Sequence, residues 1–106
     1  ERVDKALGNL ELFAMLGVSQ KRVLIDSCLQ HAAAAFKLPS TVIWIATSPK
    51  VFGYDIHNNI TPKYKKKASQ MIGSYLFDFQ FENNLHECIY NSYNEMFDTK
   101  NIIDKI

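Results

Sequence analysis

The 106-residue sequence predicts an α/β fold: a partial parallel sheet flanked by helices. Two observations carry this. Val23-Leu24-Ile25 is a short apolar run that stops at Asp26-Ser27, after which strong helix formers begin. A second apolar run, Thr41 to Ala46, follows behind Pro39-Ser40. Strand, polar turn, helix and strand in that order make one βαβ unit with two parallel strands. In open sheets of this kind, ligands bind beyond the carboxyl ends of the strands. Here those ends are Asp26-Ser27 and Thr47-Ser48-Pro49-Lys50.

The elements read in order as follows. Asn9 is a candidate N-cap, because its side-chain oxygen can accept from a free first-turn N–H. Leu10, Phe13, Ala14 and Gly17 then fit helical spacing, with Leu12, Met15 and Leu16 widening the buried side; Gly17 reads as the C-terminal stop. Gln20-Lys21-Arg22 is a polar connection of ordinary length into the first strand. Ser27 reads as the N-cap of the next helix, whose Ala32 to Ala35 run allows close packing on the sheet. That helix ends near Phe36-Lys37, since Pro39 disfavours the α region at Leu38. The strand from Thr41 to Ala46 is apolar on both faces, as in a sheet covered on both sides. Residues 47 to 62 read as a loop, with Asn58-Asn59 and Thr61-Pro62 as turn signals. Lys63 to Lys67 is a short basic run, too small for a diagnostic block. Tyr75, Phe77, Phe79 and Phe81 alternate with polar or smaller residues and read as extended. A terminal helix is expected after Phe97, capped by Asp98 or Thr99.

Composition narrows the function classes. Apolar residues form 47% of the chain, enough for a core and too many for a disordered tail. A net charge of +1 gives no case for a global polyanion or nucleic-acid binder. No apolar run approaches the ~20 residues of a membrane span, and no signal-peptide pattern is present. Cys28 and Cys88 lack CxxC spacing, which favours reduced thiols in a cytoplasmic setting over a disulfide framework. Only two parallel strands are legible and the sequence does not begin with Met, so the whole chain, 1–106, is expected to be a single partial domain of something larger.

The chemistry-bearing residues concentrate at the sheet edge. A helix opening at Asp26-Ser27 presents unsatisfied N–H groups and about half a positive charge, which suits a phosphate. The turn lacks the glycines of GxGxxG or a P-loop, so a plain Ser cap beside an exposed Asp is the competing reading. His31 lies one turn beyond Ser27 and can face the same end, either donating to a phosphate or sugar oxygen or packing beneath the turn. Lys50 can neutralise a diphosphate, while Thr47 and Ser48 offer hydroxyls; an ordinary turn around Pro49 is the alternative. His57, with Asp55 and Asn58, is a further candidate for a sugar pocket. His86-Glu87-Cys88 invites a metal, but two Cys and three His without paired spacing do not make a zinc set. Cys28 and His31 fit the spacing of a thiol–imidazole pair, with no third group to orient it.

The run Asp26-Ser27-Cys28-Leu29-Gln30-His31-Ala32-Ala33-Ala34-Ala35-Phe36-Lys37-Leu38-Pro39-Ser40, followed by an apolar strand and Thr47-Ser48-Pro49, resembles the C-terminal half of family 9 glycosyltransferases, the lipopolysaccharide heptosyltransferase group. The family pattern is Asp-Ser/Thr-Gly-x-x-His-x-Ala-Ala-Ala, then Gly-Lys-Pro and a strand ending in a Gly-Pro-Thr/Ser-type loop. The likeness covers about residues 9–54, and the Phe97 to Ile106 ending is similar to the family's final helix. It implies a GT-B enzyme with two Rossmann-like domains, the C-terminal one binding a nucleotide-diphosphate sugar without a metal or other cofactor. By the same resemblance, backbone amides from Asp26 through Ser27 and Cys28 to Leu29 hold the diphosphate, and Asp26 and His31 contact sugar or phosphate. The catalytic base and the residues for base and ribose belong to a missing N-terminal domain. Cys28 departs from the pattern where glycine is usual, narrowing the approach of a phosphate. Ala46 likewise replaces a common glycine, and the loop from Phe52 to Ile60 is longer and more aromatic.

The leading expectation is therefore the donor-binding part of an inverting glycosyltransferase that moves a heptose-like sugar to an acceptor hydroxyl. It has no membrane span and at most peripheral membrane association. The alternative from a different class is a non-catalytic α/β module that forms oligomers through an exposed sheet edge. A small thiol enzyme using Cys28 and His31 is a third.

Overall fold

The computed structural model describes residues 3–45, 47–63 and 92–106. In chain order these form α1 (Asn9–Val18), β1 (Val23–Ile25), α2 (Cys28–Ala35), β2 (Thr41–Ile43), α3 (Pro49–Phe52), β3 (Asn58–Ile60), α4 (Tyr93–Met96) and α5 (Thr99–Lys105). The expected extended run at Tyr75 to Phe81 lies outside the described residues, as do His86-Glu87-Cys88 and all of the basic run but Lys63.

The three strands make a parallel sheet in the order β1-β2-β3. Its register aligns Val23 with Thr41 and Asn58, and Ile25 with Ile43 and Ile60. Alternation divides the sheet into two faces. Ile43 and Ile60 share one face with the buried Met96 and Phe97, and Ile102 of α5 packs there as well. The Thr41 hydroxyl and the Asn58 amide both donate to the Lys105 carbonyl (3.1 and 3.3 Å), fixing α5 across β2 and β3. The helical cover on this face reaches β2 and β3 and leaves Val23 and Ile25 of β1 exposed. On β1 the half-buried residue is Leu24, so α2, which packs on β1 and α1, covers the opposite face. Val42 lies on that face by alternation and is fully buried. The second strand is covered on both faces as expected, but it ends at Ile43 and not at Ala46, and Ile45 is exposed; the outer face of β1 has no helix among the described residues.

Local chemistry accounts for the element ends. Ser27 and Asp98 cap α2 and α5 as the sequence predicts: Ser27 Oγ accepts from Leu29 N–H and Asp98 Oδ1 from Asn101 N–H. Asn9 is already helical; Gly8 is the N-cap of α1, and Glu11 reaches back to the Gly8 N–H. Gly17 does not stop α1, which runs to Val18 and ends at Ser19. The stop is made by Arg22, whose guanidinium donates to the carbonyls of Leu16, Ser19 and Pro39 (2.8, 2.6 and 3.2 Å). One side chain thereby satisfies orphan carbonyls of a helix end and ties them to the turn before β2. Helix α2 ends with Lys37 in the left-handed region (φ 56°), Lys37 N–H bonding Ala34 O and Leu38 N–H bonding Ala33 O. Both bonds of a Schellman motif are present, with lysine in the position glycine usually fills.

Two further expectations are corrected. Residues 47–62 are not all loop: Ser48 caps a one-turn helix with Pro49 at its first position. Asn58 and Asn59 do not form a turn but belong to β3, because pairing with β2 supplies ladder bonds that outweigh their weak strand propensity. The buried Trp44 fixes this pairing, its backbone N–H donating to Ile60 O and its indole N–H to Asn59 Oδ1 (both 2.9 Å). Among the described residues no helix is long and apolar enough to cross a membrane.

Candidate functional site

Parallel pairing of β1 and β2 places the loops after both strands at one edge of the sheet. Asp26 leaves β1 there, and Thr47 follows β2. The Thr47 hydroxyl donates to the Asp26 carboxylate, joining the two loops. Both residues are half-buried, so this charge-assisted bond is partly shielded from water.

Helix α2 begins at the same edge. Ser27 is fully extended (φ −160°, ψ 177°), and its hydroxyl accepts from Leu29 N–H at 3.4 Å. Gln30 N–H bonds back to the Ser27 carbonyl at 3.2 Å. Of the amides expected to cradle a diphosphate, that of Leu29 is therefore occupied by the helix's own cap, and an incoming anion competes with Ser27 for it. Cys28 is exposed at the first helical position. Across the edge, Ser48 Oγ accepts from Lys50 N–H at 3.3 Å, and the Lys50 side chain is exposed. Gly53 closes this helix tightly: a Cβ there would lie 2.5 Å from the Pro49 carbonyl oxygen. Lys50 is thus held on a turn with little room to shift.

His31 stands one turn along α2 and is exposed. Its Nδ1 is 3.0 Å from the Tyr54 hydroxyl, and the two rings meet edge to face with centroids 5.6 Å apart. It makes no hydrogen bond with Cys28, so the helical spacing of those residues does not assemble a thiol–imidazole pair. Tyr54 also meets His57 edge to face at 5.9 Å.

Beneath these rings lies a polar cluster that sequence reasoning missed. Gln30 is fully buried, and its amide donates to the Phe52 carbonyl at 3.0 Å, binding α2 to the end of α3. His57, read earlier as a sugar-pocket residue, is buried instead, with Nε2 2.9 Å from the Gln30 carbonyl. A carbonyl only accepts, so Nε2 carries the proton in this contact. His57 Nδ1 and Gln30 Oε1 are buried without a hydrogen-bond partner. Asn59 completes the turn by donating to the Tyr54 carbonyl at 3.1 Å. The helical spacing of Gln30 beside His31 was visible in the sequence; their partners, 22 to 27 residues away, were not.

The structure therefore brings together Asp26, Ser27 and Thr47, sets Ser48 and Lys50 on the neighbouring turn, and directs His31 toward Tyr54. Among the described residues, clefts also lie away from this edge. One runs between α1 and β1 beside Leu12, Met15 and Leu24; the other borders Arg22, Ser40 and Lys105 at the amino ends of the strands. Among the described residues no three metal-ligating side chains cluster. Comparison with known proteins returns no match: no family model, no curated protein and no solved structure matches the chain.

Proposed function

We propose that this chain is the C-terminal, donor-binding portion of an inverting glycosyltransferase of Rossmann-like GT-B type, working in the cytoplasm. The single observation that supports the reading is the convergence of the β1 and β2 loops, bonded through Asp26 and Thr47, at the edge where α2 begins. The diphosphate of a nucleotide sugar lies at the α2 N-terminus, where backbone donors and the helix dipole favour negative charge. The exposed Lys50 ammonium offsets charge on the departing nucleoside diphosphate, stabilising the transition state more than the ground state. Thr47 holds the Asp26 carboxylate so that a free oxygen lone pair accepts from a sugar hydroxyl. His31, braced by Tyr54, donates to sugar or phosphate. The acceptor site and the base that deprotonates its hydroxyl belong to a second domain.

Nuclear magnetic resonance titration with ADP, UDP and GDP and their sugars tests the proposal. Amide shifts centred on residues 26–31 and 47–50 are expected, with Lys50→Ala weakening binding about tenfold. Silence at these positions in the full-length enzyme would overturn it.

A further inference from the structure

The cleft between α1 and β1 is apolar along its length and basic at one end. Leu12, Met15, Leu16 and Ser19 stand at i, i+3, i+4 and i+7, a single stripe of α1, and form one wall. Leu24 of β1 and Leu29 of α2 face them. The cleft holds about 190 Å³, somewhat more than the ~150 Å³ apolar cavity that takes a benzene ring in another protein. Lys21 and Arg22 line its basic end. The same two residues line the neighbouring polar cleft of about 120 Å³, where Lys105 joins them. They therefore stand where an apolar hollow meets a cationic one, and among the described residues no Asp or Glu lines either. Arg22 gives three of its five N–H groups to neutral carbonyls, which leaves its charge uncompensated and two N–H groups over. Lys21 is exposed and forms no ion pair among the described residues.

We propose that the α1–β1 cleft binds a small aliphatic carboxylate, its tail along Leu12, Met15 and Leu24 and its head at Lys21 and Arg22. Each half of that ligand answers a different feature of the cleft. The leucine and methionine walls favour hydrocarbon over water, and each methylene they bury tightens binding about fourfold. The head accepts from the Lys21 ammonium and from the remaining Arg22 N–H groups, charge-assisted bonds beside walls that screen poorly. An ammonium head is repelled by both residues, and an alcohol gains the tail contacts without the charge. The volume suits a tail of about six to eight carbons and leaves most of a long-chain fatty acid in water. This site is separate from the edge where α2 begins. Among the described residues the two share Leu29 alone, through its side chain here and its backbone amide there.

Calorimetric and nuclear magnetic resonance titrations of the full chain with butanoate, hexanoate, octanoate, octanol and octylamine test this at one low salt concentration. Affinity should rise about fourfold per methylene from butanoate to octanoate. Amide shifts should centre on Leu12, Met15, Lys21 and Leu24 and spare residues 47–50. Octanoate should bind about tenfold more tightly than octanol, and octylamine more weakly than either. Lys21→Ala should weaken octanoate about fivefold and leave octanol unchanged. Lys21→Glu should remove the preference for octanoate over octylamine. Met15→Gln should weaken octanoate and octanol alike, with circular dichroism and Tm confirming that each variant is folded. No binding of octanoate up to about 10 mM overturns the proposal. So does octylamine binding as tightly as octanoate, a preference that survives Lys21→Glu, or shifts that centre away from the α1–β1 cleft.

Discussion

The Thr47 hydroxyl donates to the Asp26 carboxylate, so the loops that follow the first two parallel strands are bonded to each other and not only to their strands. Removing the donor with Thr47→Val should cost about 1 kcal/mol, the net worth of one partly shielded hydrogen bond. Thr47→Ser keeps the hydroxyl and should cost less. Urea denaturation followed by far-ultraviolet circular dichroism measures both; equal losses would mean that the methyl, not the hydroxyl, matters.

Gln30 tests the buried cluster through two substitutions of opposite character. Gln30→Glu replaces the donor facing the Phe52 carbonyl with an acceptor and buries a charge, and should destabilise by about 3 kcal/mol or more. Gln30→Met loses that donation but also removes the unpartnered Oε1, and should stay within about 1 kcal/mol of the parent. If the order is reversed, the amide is not placed as described.

Lys37 offers a gain. Its left-handed φ costs a side chain with a Cβ about 1 kcal/mol that glycine does not incur. Lys37→Gly should therefore raise the unfolding free energy by that amount, and Lys37→Ala should leave it unchanged. A gain from both would point to the loss of charge instead.

Gly53 should be intolerant for a different reason. Its φ of −87° suits any residue, but an added Cβ meets backbone of Pro49 at 2.5 Å. Gly53→Ala should cost about 1–3 kcal/mol and displace the Ser48–Lys50 turn, seen as amide shifts at those residues. A neutral outcome would show that α3 relaxes freely.

What the sequence disclosed was local. The caps at Ser27 and Asp98 act within three residues, and the apolar periodicity of α1 needs no distant partner. β1 and the start of β2 were legible because a continuous apolar run is itself the signal. Ser48-Pro49 carried a readable helix start that the surrounding turn signals masked. Asn58 and Asn59 failed as a reading because strand pairing and the Trp44 indole decide their state from 15 to 17 residues away. Arg22 read as connection for the same reason: its carbonyl partners converge only after α1 and the turn before β2 have met. At the candidate site, the sequence placed Asp26, Ser27, Thr47, Ser48 and Lys50 on one edge. It did not disclose that Tyr54 takes up His31.

The burial of Trp44 has an optical consequence. It is the only tryptophan in the sequence, it is fully shielded from water, and its indole N–H is committed to Asn59 at the β2–β3 junction. Indole fluorescence from this protein therefore reports a single point, the lateral attachment of the third strand to the second. Emission should be blue-shifted in the folded chain and move to the red when that attachment opens, whether or not the helices have melted. Compared with the helical signal in circular dichroism, it would reveal whether β3 detaches before the rest of the molecule unfolds.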